Sequence, residues 1–129
     1  MIRGENLMYR EINLQEQEWI CKLLNVNFEG KKILGAQIAK SKVSCEQNYA
    51  FLSLKFQVNN NVEKYPCKVR IPIAMHAFQT KSAPIIFLLH VIDGLVSELE
   101  VFSADSSRLD ANKIELGRVE YEVNENISS

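Results

Sequence analysis

The sequence is poor in the residues that usually announce a chemistry. Its five glycines, Gly4, Gly30, Gly35, Gly94 and Gly117, stand apart from one another, so no glycine-rich loop cradles a phosphate at a helix start. Two histidines without a cysteine or carboxylate cluster at ligand spacing argue against a metal site, and no motif calls for a cofactor. Three cysteines, Cys21, Cys45 and Cys67, form no C-x-x-C pair. An odd count of this kind fits reduced thiols better than a disulfide framework, and each is expected as small apolar filling. The longest apolar run, Ala83 to Ile92, contains Pro84 and His90 and is about half the roughly twenty residues of a membrane helix. The opening Met1-Ile2-Arg3-Gly4-Glu5-Asn6 lacks the apolar core of an export signal, so a cytoplasmic chain without a membrane span is expected.

What remains is the composition of a packed protein. With 129 residues, 47% hydrophobic and 24% charged, the chain is read as a single domain over 1–129, with an ordered core at about 9–123 and a tail that frays after Val123. The net charge of -1 is unevenly spread. Residues 1–92 hold 12 Lys and Arg against 7 Asp and Glu, whereas residues 93–129 hold 3 against 9. An acidic C-terminal third argues against nucleic acid as a partner there and suits a basic protein, although an ordinary solvated face has the same look.

Asn13-Leu14-Gln15-Glu16 has the spacing of a capping box, so a helix is expected from there to about Asn25. Leu14, Cys21 and Leu24, widened by Trp19, Ile20 and Leu23, make its apolar stripe, and Glu16, Glu18 and Lys22 take the wet side. Ile33 to Cys45 is ambiguous in its first half and a strand in its second. From Tyr49, Leu52, Leu54, Phe56 and Val58 alternate with Ser53, Lys55 and Gln57 until Asn59-Asn60-Asn61 turns the chain. Tyr65 to Ile73 alternates again, with Lys64, Lys68 and Arg70 on one face, and the interleaved Pro66 and Pro72 point to an edge or an irregular position. Met75 to Ala83 reads as a loop, and Ile114 to Val123 as a weak strand.

The strongest local signal is a hairpin from Ile85 to Phe102 closed by Asp93-Gly94, a type I′ turn sequence. An unbroken register places Ile92 opposite Leu95, His90 opposite Ser97 and Phe87 opposite Glu100. Ile86, Leu88, His90, Ile92, Leu95, Ser97, Leu99 and Val101 then form the core face, and Glu98 and Glu100 lie on the other. Together the elements give an α+β fold, an N-terminal amphipathic helix packed on a largely antiparallel sheet of five or six strands.

Leu88-Leu89-His90-Val91-Ile92-Asp93-Gly94, followed by Ser97-Glu98-Leu99-Glu100 and Ala104-Asp105, resembles a signature in a family of small bacterial domains of unknown function. The upstream helix, Val69-Arg70-Ile71-Pro72 and the chain length are also similar. The resemblance implies a shared fold in a cytoplasmic protein and supplies no activity. Genes of such domains look like neighbours of toxin and immunity loci. Asp105-Ser106 stands where that family has Asp-Gly, so the turn there is expected to differ.

His90 invites a test for chemistry. Inside the sheet and across from Ser97 it reads as a satisfied core histidine, with a pocket or catalytic base as the alternative. Glu98 and Glu100 alternate on one strand face, as an exposed polar stripe does, and Lys64, Lys68 and Arg70 read as a wet strand surface. No nucleophilic constellation assembles. The expectation is therefore a non-catalytic protein-binding domain, an immunity-type inhibitor of a basic toxin domain, with Glu98, Glu100, Asp105 and Glu120 as contacts. The alternative is a small-ligand-binding module or hydrolase with a pocket near His90 and Ser97. A homodimer through the outer hairpin face is compatible with either.

Overall fold

A computed structural model describes residues 8–59 and 61–124. Asn60 of the expected turn, and the tail from Glu125 to Ser129, lie outside the described residues. In chain order the elements are α1 (Leu14–Leu23), α2 (Lys31–Ala39), β1 (Lys42–Gln47), β2 (Phe51–Gln57), β3 (Ile73–Ala77), β4 (Ile85–Ile92), β5 (Leu95–Ser103), a short 3-10 turn (Ala111–Lys113) and β6 (Val119–Val123). The strands form one six-stranded sheet in the order β1-β2-β5-β4-β3-β6, with every pairing antiparallel. This is the α+β architecture expected, with the N-terminal helix against the sheet.

The capping box at Asn13 is complete. Its side chain accepts the Glu16 amide at 2.8 Å, and a Glu16 carboxylate oxygen accepts the Asn13 amide at 3.0 Å. The helix is rotated from its expected stripe, because Leu14 and Cys21 are exposed while Glu16, Trp19, Ile20 and Leu23 are buried. Glu16 can leave the wet side because Arg10 donates to both of its oxygens, at 2.8 and 2.7 Å. A paired carboxylate is tolerable in a packed site where a bare one is not. Trp19 then meets Phe87 edge to face, ring centroids 5.9 Å apart, and Leu34 and Ile38 of α2 join the same core.

The second helix resolves the ambiguous Ile33 stretch. Gly30 precedes it with a φ of 83°, and a Cβ at that position would sit 2.2 Å from the Tyr65 ring. A side chain is therefore excluded both by backbone geometry and by close approach.

The segment expected as a strand from Tyr65 to Ile73 is irregular up to Pro72, and the expected loop from Met75 contains most of β3. Proline lacks the amide that a ladder needs. Pro66 and Pro72 accordingly leave 64–72 attached to the hairpin by backbone hydrogen bonds from Tyr65 N to Gly94 O and from Val91 N to Arg70 O, each 2.8 Å. Lys64, Lys68 and Arg70 thus share no strand face.

The hairpin turn forms as expected, with φ of 53° at Asp93 and 81° at Gly94. Ile92 faces Leu95 and Val91 faces Val96, but between Val91 and His90 the register shifts by one, so that His90 faces Glu98, Leu89 faces Leu99 and Phe87 faces Val101. Ser97 is the extra residue of a β-bulge. The expected core face is thereby inverted on β4: Ile85, Phe87, Leu89 and Val91 are buried against the helices, together with Val96, Leu99 and Val101 of β5. The physical reason lies in the glutamates. Without the bulge, burying Phe87 and Leu89 would place Glu98 and Glu100 in the core beside them, whereas one extra residue keeps both carboxylates outside.

The cysteines also differ from expectation. Cys21 and Cys45 are exposed and Cys67 is half-buried, because Cys21 falls outside the rotated helix stripe and Cys45 lies on an edge strand.

Candidate functional site

Both helices cover the same side of the sheet. Through Gln15, whose side-chain amide donates to Ala111 O at 2.8 Å, the loop before β6 is tied to that side as well. Among the described residues no helix lies over the opposite side. Strand alternation and the pairing register define what that outer face presents.

One end of it is apolar on the inner strands. Phe51, Phe102 and Ile86 occupy adjacent positions on β2, β5 and β4, with Leu88 one step further along, and all four are half-buried. Beside them lie two hydrogen-bonded pairs. His90 Nε2 meets Glu100 Oε1 at 2.9 Å, and Ser53 Oγ donates to Glu98 Oε2 at 2.5 Å, with Lys55 Nζ 3.9 Å from the same carboxylate. At the two edges the acids are freely exposed, with Glu46 on β1 and Glu120 and Glu122 on β6. The register strings Glu46, Ser53, Glu100, Leu88, Ala74 and Glu122 into one row across the sheet.

His90 and Ser97 are not partners. The bulge sets His90 opposite Glu98, its ring bonds to Glu100, and its Nδ1 is buried without a hydrogen-bond partner among the described residues. His90 therefore belongs to the outer face with Glu98 and Glu100, and the expected separation of the histidine from the glutamates is overturned. The pocket reading loses its pair, because Ser97 is the bulge residue.

Glu98, Glu100 and Glu120 share the outer face. Glu98 and Glu100 are partly engaged by their neighbours, and Glu120 stands three strands from β5, roughly 14 Å away. Asp105 lies apart, in the turn after β5. Its carboxylate accepts the Ser103 hydroxyl at 2.8 Å and the Ser107 amide at 3.0 Å. Hydrogen bonds from Ser107 and then Ser103 hold that carboxyl below the usual aspartate range. Ser106 in the same turn has a φ of 63°, the left-handed region that favours glycine.

Glu46 and Glu122 escaped the sequence reading. Alternation along β6 pairs Glu122 with Glu120, so that signal was available. Glu46 depends on the pairing of β1, which no local pattern reports. Among the described residues, no helix is long and apolar enough to cross a membrane, and no group of three His, Cys, Asp or Glu is placed to hold a metal ion. No family model, curated protein or solved structure matches this chain.

Proposed function

We propose that the chain is a binding protein whose outer sheet face docks a cationic surface of another protein. The observation that supports this reading is the anatomy of that face, in which the half-buried Phe51, Ile86, Leu88 and Phe102 are flanked by Glu46, Glu98, Glu100, Glu120 and Glu122. Apolar side chains beside charged ones give such a face both a hydrophobic anchor and a sign of charge for a partner. Lys42 and Lys55 are the only lysines on the six strands of that face, so acids prevail and a basic partner is selected over an acidic one.

Size bears on the footprint. Six strands spaced about 4.8 Å apart span roughly 24 Å, and shared lengths of about five residues add roughly 17 Å. That is on the order of 400 Å², half of the about 800 Å² that a stable partner takes. A partner therefore reaches past the strands onto flanking turns, which brings the turn holding Asp105 within its range. A toxin domain with a basic active site is the specific partner we propose, the chain acting as its immunity-type inhibitor by covering that site. The alternative of a small-ligand-binding module or hydrolase with a pocket near His90 and Ser97, between helix and sheet, is not the one we propose, because His90 lies opposite Glu98 on the outer face and Ser97 is unpaired with it.

The test uses Glu98→Gln/Glu100→Gln, which keeps hydrogen-bonding capacity while removing charge. Proteins retained by the full chain from a cell extract are identified and the purified partner is titrated. A partner with a basic surface is expected, and the double variant should associate about tenfold more slowly with a flatter salt dependence. Equal association by both forms, or retention of acidic partners alone, would overturn the reading. Retention of only a second copy of this chain, seen as a dimer by light scattering, would also replace it.

A further inference from the structure

A second surface, of opposite charge, lies at the hairpin tip. Residues 64–70 arch beside the end of β4 and enclose with Val91, Ile92 and Gly94 a groove of about 500 Å³, within the range of small-ligand sites. The groove follows from the sequence. The prolines keep the arch off the ladder, while the hydrogen bonds of Tyr65 N to Gly94 O and Val91 N to Arg70 O pin it at two points. Gln37 fixes the base from below, donating to Glu63 O and Gly94 O at 2.9 Å each. At Gly94 the approach is so close that a Cβ would lie 2.9 Å from that of Lys64. The walls are therefore set before any ligand arrives.

Lys64, Lys68 and Arg70 line this groove with exposed side chains, and none of the three forms an ion pair among the described residues. Asp93 is the one acid in the lining, so the groove carries an excess of two positive charges. Val69, Val91 and Ile92 supply apolar wall, and Ile92 is 42% exposed. Cations that are unpaired among the described residues, gathered on preformed walls beside an apolar surface, suit a ligand with a charged end and an apolar end.

We infer that this groove binds a small molecule carrying a phosphate group next to an apolar or aromatic part. The arginine offers a planar fork for the phosphate oxygens and the lysines add point charges. The ring or chain lies along Val69 and Ile92. The inference is independent of the docking face, which uses other residues.

The experiment titrates the full chain with adenosine monophosphate, adenosine and inorganic phosphate while following backbone amide resonances. Saturable shifts with the nucleotide, confined to residues 64–70 and 91–94 and absent with adenosine, are expected. Phosphate alone acting on the same amides would also support the site, and would mark the anion as its main determinant. Lys68→Ala/Arg70→Ala should weaken binding by about tenfold or more, with the remaining resonances unmoved as proof of folding. Glu98→Gln/Glu100→Gln should leave it unchanged. The inference is overturned if neither the nucleotide nor phosphate saturates at millimolar concentration, if the double alanine variant binds as well as the parent, or if the shifts fall elsewhere.

Discussion

Phe87→Ala is expected to cost about 4 kcal/mol of unfolding free energy, while Leu88→Ala, one residue along the same strand, costs about 1 kcal/mol. Phe87 is fully buried against Trp19, and Leu88 is half-exposed on the open face. The larger loss combines the transfer of an aromatic ring with a cavity that the helix and sheet cannot close. It would take a large share of a typical stability of about 5–15 kcal/mol. Urea unfolding followed by far-ultraviolet circular dichroism measures both, and Phe87→Leu, expected to stay within about 1.5 kcal/mol, keeps the comparison possible if the alanine form does not fold. The contrast is a direct test of the bulge. An unbroken hairpin register would reverse the order of the two residues, because it buries Leu88 and turns Phe87 towards Glu100.

Gln37→Leu should be the next most damaging change, at about 2 kcal/mol, although leucine is a better core residue by transfer. Gln37 is fully buried, and its Oε1 accepts the Val96 amide at 2.7 Å. Leucine would leave that amide in the core without an acceptor. The Gly94 carbonyl would be less affected, since it keeps the Tyr65 amide. Faster hydrogen exchange at Val96, with little change at Leu99 in the middle of the sheet, is the accompanying signature. Unchanged exchange at Val96 would show that Gln37 does not protect that amide.

These two residues show where sequence reasoning succeeded and where it stopped. Leu52, Leu54 and Phe56 alternate with polar neighbours, and their strand formed where the alternation lies. In β4 both faces are apolar, so periodicity cannot say which one is core, and the assumption of an unbroken register chose wrongly. The glutamates of β5 carried the missing information, but only when weighed against burial of Phe87 and Leu89 on the partner strand. For the candidate sites, Glu98 and Glu100 were legible as alternating acids, and Glu120 as part of the acidic C-terminal third. Their union with His90 and Glu46 on one face was not, and neither was the groove, because alternation suits Lys68 and Arg70 to a strand and the prolines left an edge and an irregular position equally open.

By itself the sequence determined the local choices: the capped helix from Asn13, the tight turn at Asp93-Gly94, the strand at β2 and the α+β class. Each depends on residues a few positions apart, whose backbone preferences and periodicity need no distant partner. The tertiary structure alone decided the bulge at Ser97, the burial of Glu16 under Arg10, the helical state of the Ile33 stretch and the side of the sheet left open. Each of those balances desolvation against pairing between segments far apart in the chain, and that balance exists only once the sheet and helices have met.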